Sequence, residues 1–290
     1  MKKKTKFFFF GFGQVAKYFV ENLINSNKNF KFCATNTKKT GIFYFRKKKF
    51  KSFKFKDNIF DQKLIKDLEN TDYVLISIPP RNKKDIVLRK FRKNLVNSSF
   101  KKLIYLSATS VYGNHYGKWV NEKSKLKGRT IFGLRRRLAE KSWCEFREKN
   151  NLDINIIRVS GIYSKESNVL NKILNRNVYV KEKKFFSRIR VEDLANIIKK
   201  TYYTSRKSLI INASDDKPST NKEVAFYAAK LLKIKKLVPV PISKFKNLMI
   251  KEFYKDSKKV SNKKMKKELK VKLRYPTYKQ GLKNIFNNYH

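Results

Sequence analysis

Apolar and polar positions alternate along this chain in two rhythms. Phe7 to Phe10 form an unbroken apolar run, the pattern of a strand buried on both faces. Directly after it Val15, Phe19, Leu23 and Ile24 recur at helical spacing, with Lys17, Glu21 and Asn22 on the opposite side. The pair of rhythms then repeats. Residues 30–35 read as a second strand, 61–69 as a helix through Leu64, Ile65 and Leu68, and 73–78 as a buried strand ended by Pro79 and Pro80. A helix around 84–96 leads to a strand at 103–107, a helix over 136–149 precedes a strand at 154–159, and 191–203 and 222–233 read as helices. In 222–233 the apolar face is Val224, Tyr227, Ala228 and Leu231. Short apolar strands alternating with helices predict an α/β fold, a Rossmann-type doubly wound parallel sheet with right-handed crossovers and ligands at the carboxyl ends of its strands.

The first strand ends in Gly11-Phe12-Gly13-Gln14-Val15-Ala16. Glycine at 11 allows a tight turn, glycine at 13 lets backbone approach a pyrophosphate, and the small Ala16 lets the helix pack on the strand. Gln14 and Val15, at the helix start, then lie beneath the phosphates. The plainer reading is a glycine-containing turn of any α/β protein; the position in the first strand, turn and helix favours a dinucleotide site. At the end of the second strand the stretch Thr35-Asn36-Thr37-Lys38-Lys39 holds no carboxylate where one usually meets the adenosine ribose. Nothing there repels a 2′-phosphate, and Lys38 either pairs with one or is one more surface lysine. NADP is expected over NAD, with NAD still possible. The loop after the third apolar strand, at Ser77, Ile78 and Pro79, should border the cofactor.

Composition narrows the remaining classes. The 290 residues allow one large domain or a nucleotide domain carrying a small lobe. Cys33 and Cys144 lie far apart and form no cluster with His115 or His290, so neither a disulfide framework nor a metal site is expected. Met1-Lys2-Lys3-Lys4 and the apolar run after it imitate a signal peptide, but Gly11 and Gly13 break that run and it continues into a helix the fold needs. No stretch approaches the ~20 apolar residues of a membrane span, and a cytoplasmic protein without membrane attachment is expected. The formal charge of +50 invites a nucleic-acid partner. Lysine far exceeds arginine, however, and is spread along the chain, the pattern left by codon drift toward A and T, so specific nucleic-acid binding is not expected. In 46–56 bases interleave with aromatics, which suits single-strand stacking, but Phe53 and Phe55 alternating with Lys54 and Lys56 equally describe a half-buried strand. Residues 255–272 read as a solvated, partly helical surface. A small-molecule substrate and a monomer or homodimer complete the expectation.

The segment Leu106-Ser107-Ala108-Thr109-Ser110-Val111-Tyr112-Gly113 resembles the LSSxxVYG stretch of extended short-chain dehydrogenases/reductases, the epimerase/dehydratase branch, and more closely its atypical extended subgroup. The similarity runs through Gly11 to Ala16, Ser77 to Pro80, Trp119 to Glu122, Arg158-Val159-Ser160-Gly161-Ile162-Tyr163, Ser187 to Ala195 and Asn212 to Pro218. The resemblance implies a dinucleotide-binding Rossmann core over 1–163, with 186–216 returning to it. It also implies a small C-terminal substrate-binding lobe made of 164–185 and 217–290, over a substrate that in the family is often a sugar nucleotide. It further places Leu106, Ser107 and Arg136 beside the cofactor.

Family chemistry uses a hydroxyl, a Tyr and a Lys, the last two spaced YxxxK. Set against that pattern, the hydroxyl position reads Ala108, the Tyr position Phe132 and the Lys position Arg136. All three depart. Thr109 and Tyr112 remain as candidate catalytic groups, although the family's tyrosine at the place of Tyr112 usually serves packing. Tyr116 and Arg188 are candidate substrate contacts; Arg188 is shifted by two residues from the phosphate-binding arginine of some sugar-nucleotide enzymes, where Phe186 stands, and it also reads as a solvated or capping residue. Ser164 to Ser167 replace the GPG-like turn of the family. Two functions follow: an oxidoreductase or epimerase on a nucleotide-linked or other anionic metabolite without the usual triad, or a catalytically silent protein that binds NADP, nucleic acid or an acidic partner.

Overall fold

The structure, a computed structural model, describes residues 4–81, 85–176, 178–246 and 248–289. Met1 to Lys3, the first residue of the helix expected from 84, and His290 lie outside them. The central strand is Thr5–Phe10 (β1), followed by the helix Gln14–Asn25 (α1) and the strand Phe30–Asn36 (β2). Phe7, Phe8, Phe9 and Phe10 are each at most 2% exposed because β1 pairs in parallel on both sides and is covered on both faces. Alternation divides the rings. Phe7 and Phe9 meet Phe19 of α1 at 5.5 and 5.9 Å, while Phe8 meets Phe53 at 6.4 Å and Phe10 meets Phe91 at 5.2 Å on the other face. In α1 the buried residues are Ala16, Phe19, Val20 and Leu23. The stripe is thus turned slightly from the expected one, leaving Val15 and Ile24 half-buried.

Between β2 and its next parallel neighbour the chain makes a hairpin: Gly41–Phe45 (β3) runs antiparallel to Lys48–Lys56 (β4), and β4 pairs in parallel with β2. Arg46 and Lys47, both at positive φ (47° and 61°), form its tip. Phe50, Phe53 and Phe55 are buried and Lys49, Lys51 and Lys56 exposed, so the basic and aromatic interleaving of 46–56 is a half-buried strand. The sheet continues through Ile59–Phe60 (β5), the helix Lys63–Glu69 (α2), Tyr73–Ile76 (β6), the helix Ile86–Asn97 (α3) and Lys102–Ala108 (β7). Asp85 caps α3 by accepting from the Leu88 N–H at 2.9 Å. After the two-residue strand Trp119–Val120 (β8) come the helix Ile131–Asn150 (α4) and the strand Ile154–Val159 (β9). The sheet order is Ile210–Ala213, β9, β7, β6, β1, β2, β4, β3, with β5 on β4, a mostly parallel Rossmann-like α/β arrangement. Helix α4 begins at Ile131 rather than 136 because Thr130 Oγ1 accepts from the Gly133 N–H (3.1 Å) and Glu252 accepts from the Ile131 N–H (3.1 Å).

The chain forms two compact units, one of 1–107, 135–157 and 195–210, the other of 108–134, 158–194 and 211–290. Stretches 108–134 and 186–194, within the ranges expected for the dinucleotide core, belong to the second. That unit has a core of its own in which Leu170 and Ile173 pack with Val224, Ala225 and Ala228 of the helix Asn221–Leu231. Thr220 and Glu223 start this helix with a capping box. The expectation of a solvated 255–272 is corrected: Ser257, Lys258, Val260, Asn262, Met265 and Leu269 are buried. Val260, Met265 and Leu269 turn inward, and the Asp256–Lys258 ion pair (3.4 Å) with the helix Lys263–Leu269 pairs polar groups, so a stretch of high average polarity is buried in part.

Candidate functional site

Local backbone chemistry shapes the turn after β1. Gly11 has φ +90°, and its N–H donates to Thr35 Oγ1 at 2.9 Å. A Cβ at Gly11 would meet Ser77 Oγ at 2.9 Å and Ile78 Cγ1 at 3.2 Å, so the close approach of the β6 loop requires glycine. Ser77 Oγ in turn donates to the Phe10 carbonyl (3.1 Å). Gly13 precedes α1 at φ −84°, and nothing lies within 4 Å of where its Cβ would be. The first turn of α1, beginning at Gln14 and Val15, carries no acidic residue, so its N–H groups and the positive end of the helix face no fixed counter-charge from that turn. Open space beside Gly13, with donors beneath it, fits a dinucleotide's phosphates.

Thr35 is buried and its hydroxyl is used on the turn. Asn36 organises the bend after β2: its Oδ1 accepts from the Lys38 and Lys39 N–H groups (2.8 and 3.0 Å), and its Nδ2 donates to Ser52 Oγ (2.7 Å). Lys38 is held at the tip of this bend, exposed. Ser77 and Ile78 are half-buried and Pro79, next in the loop, is exposed. At the end of β7 the Leu106 carbonyl accepts from Arg136 Nη1, whose guanidinium stands 6.0 Å from the Tyr105 ring. Ser107 is buried, and its Oγ has no hydrogen-bond partner among the described residues.

Within the second unit a cleft of about 270 Å³ is lined by Ala108, Thr109 and Phe132. Ala108 and Phe132, which the sequence resemblance sets at a hydroxyl and a Tyr position, both line this cleft. Phe185, Phe186 and Phe253 supply aromatic walls, with Phe186 stacked on Phe253 at 4.5 Å. The ionisable groups of the lining are Glu252, Asp256 and Lys258. Lys255 beside Glu252 holds its carboxyl below the usual range. Burial pushes the Lys258 ammonium down, while Asp256 beside it acts in the opposite sense. Ser160 also lines the cleft, with its Oγ buried and without a partner among the described residues.

Other candidates fall elsewhere. Tyr112 is fully buried; its phenol donates to Asn212 Oδ1 (2.7 Å) and accepts from Arg158 Nη1 (3.0 Å), and burial pushes it up to about 12. A phenol so held keeps its proton at neutral pH, and it is absent from the cleft lining. Tyr116 is 83% exposed at φ +53°. Arg188 is half-buried and engaged: it donates to the carbonyls of Phe186 (3.0 Å) and Ser219 (3.1 Å) and to Asn221 Oδ1 (3.2 Å). Asp256, Glu252 and Lys258 escaped the sequence reading because no spacing distinguishes them within a lysine-rich stretch. Among the described residues no group of His, Cys, Asp and Glu could hold a metal ion, and no helix is long and apolar enough to cross a membrane.

No protein-family model and no curated protein matches the chain. Solved structures do. A conserved protein of unknown function from Silicibacter pomeroyi is 25% identical with a TM-score of 0.84, over 98% of this chain and 99% of that one. A dTDP-glucose 4,6-dehydratase from Bacillus anthracis in complex with NAD is 15% identical with a TM-score of 0.78, over 98% and 96%. A UDP-glucuronic acid 4-epimerase from Bacillus cereus, in complex with UDP-glucuronic acid and NAD, is 12% identical with a TM-score of 0.77, over 98% of both chains. The fold of this chain is thus the Rossmann-like α/β fold of solved sugar-nucleotide epimerase and dehydratase structures, at low sequence identity.

Proposed function

We propose that this protein binds a nicotinamide dinucleotide, NADP in preference to NAD, at the turn between β1 and α1. We further propose that its cleft takes a nucleotide-linked or otherwise anionic small molecule. The observation that carries the reading is the contrast at the turn: Gly11 is packed against Ser77, whereas Gly13 opens onto empty space above helix donors. Gly13 and the first N–H groups of α1 would hold the phosphates, Lys38 a 2′-phosphate, and Ser77, Ile78, Pro79, Leu106 and Ser107 the edges of the cofactor. Arg136 orients the end of β7 through the Leu106 carbonyl. When bound, such a group supplies hydride exchange. The chain's own residues contribute binding and exclusion of water, since neither Ala108 nor Phe132 carries a proton to transfer.

A second reading, a catalytically silent binding protein, is favoured by that same pair: the cleft holds a methyl and a phenyl group where the family pattern has a hydroxyl and a phenol. Thermal-shift titration with NADPH, NADH and a panel of nucleotide sugars tests binding, because stabilisation grows as ln(1 + [L]/Kd). Turnover assays on the same panel separate the two readings. No stabilisation by either dinucleotide at millimolar concentration refutes the proposal.

A further inference from the structure

We propose that Lys258 is the binding residue for a carboxylate carried on the ring of the cleft's ligand, so that this cleft selects a ring acid over the corresponding neutral ring. The inference rests on the proposed reading that the cleft takes the small-molecule ligand, and it goes beyond that reading by placing the ligand's ring there and naming the residue that meets its charge. Lys258 lines the cleft and is only 9% exposed. Its ammonium has three protons to donate, and the hydrogen bond it makes, to Asp256 Oδ2, is long at 3.4 Å. Charge-assisted contacts of this type close to about 2.7–2.9 Å when they are fully formed.

The other charges of the lining do not compete for a single carboxylate. Glu252 is engaged on both oxygens, by Lys255 and by the Ile131 N–H. Asp256 is the remaining carboxylate of the lining, and it sits beside Lys258. One added monoanion gives the buried ammonium a second acceptor against the repulsion of Asp256; a dianion such as a phosphate would meet about twice that repulsion. Ser160 supplies a further group. Its hydroxyl is buried without a partner among the described residues and can donate to the same carboxylate or to a ring hydroxyl. Phe132, Phe185 and Phe253 give apolar surface against which a ring's C–H face packs. Three features of one cleft, an underused buried cation, an orphan hydroxyl and aromatic walls, converge on an acidic ring.

The test compares UDP-glucuronate with UDP-glucose by calorimetry, and free glucuronate with free glucose by saturation-transfer NMR, on the full chain. The wild type, Lys258→Met and Lys272→Gln are used, the last an exposed lysine that controls for general attraction of anions to a chain of charge +50. Circular dichroism and urea unfolding establish that Lys258→Met is folded; Lys258→Gln serves if it is not. The expected result is a preference of about tenfold for the acid, lost in the Lys258 variant and kept in Lys272→Gln, the factor typical of one hydrogen bond to a charged group. If nucleotide sugars bind without acid preference, or with a preference that survives loss of Lys258, the inference falls and the proposed function stands. If neither nucleotide sugar binds but glucuronate does, dependent on Lys258, the inference stands and the nucleotide-linked ligand falls. Binding of none of the four overturns both.

Discussion

The two glycines of the turn after β1 separate stability from binding, because a methyl group added to each meets a different environment. At Gly11 the backbone has φ +90°, where an L-residue costs roughly 1–2 kcal/mol. The new Cβ would also stand 2.9 Å from Ser77 Oγ, inside contact distance. Relief requires the serine hydroxyl to leave the Phe10 carbonyl, at about 1 kcal/mol for the lost hydrogen bond, or the turn to shift and stretch the Gly11 N–H contact to Thr35. Gly11→Ala is therefore expected to destabilise the protein by about 2–4 kcal/mol in urea unfolding. At Gly13, with negative φ and no atom near the added Cβ, alanine should change stability by less than about 1 kcal/mol while filling the space proposed for the pyrophosphate. Its dinucleotide affinity should fall at least about tenfold by calorimetry. A double variant with Ser77→Ala, which removes the clashing oxygen, should recover roughly 1 kcal/mol of the Gly11→Ala cost beyond additivity. Strictly additive effects would refute the steric argument, and unchanged affinity in Gly13→Ala would refute the phosphate assignment.

Cofactor choice depends on the Asn36 bend: NADPH should bind about tenfold more tightly than NADH, and Lys38→Glu should reverse the order, so equal affinities in calorimetric titration would rule this out. Tyr112→Phe leaves Asn212 and Arg158 without their shared hydroxyl and should cost about 1–3 kcal/mol of stability without weakening ligand binding in the cleft; an intact stability with lost turnover would instead make Tyr112 a chemical group. Burial pushes the Asp215 carboxyl up to about 8, so the folded chain holds a proton that the unfolded chain releases near pH 4. This contribution to stability is full below about pH 4 and is lost as pH rises toward about 8, with a slope of at most ~1.4 kcal/mol per unit, and Asp215→Asn should flatten it. Turnover of nucleotide sugars through the family's triad should be undetectable, and robust turnover abolished by Phe132→Ala would show that this position has another role.

The sheet was readable because its central strands are buried on both faces, so that apolar continuity alone marks them: Phe7 to Phe10 and Leu103 to Leu106 needed no neighbour to be recognised. The start of α4 was not, because it depends on Glu252, 121 residues away in sequence, accepting from the Ile131 N–H. The hairpin of β3 and β4 was readable only at Phe53 and Phe55; its tip places Arg46 and Lys47 at positive φ, where the usual turn signal would be Asn-Gly. Cleft chemistry divides along the same line. Ala108 and Phe132 were found by motif, since they stand at fixed offsets from glycines and a helix start. Lys258 had no such offset. In a chain with 72 basic residues a lysine carries almost no information until packing removes it from water, and packing is a property of what surrounds it. Thus Ala108 and Phe132 could be named from the sequence as cleft candidates, whereas the charges of the cleft could only be found once Phe185, Phe253 and Val260 were seen to line it with them.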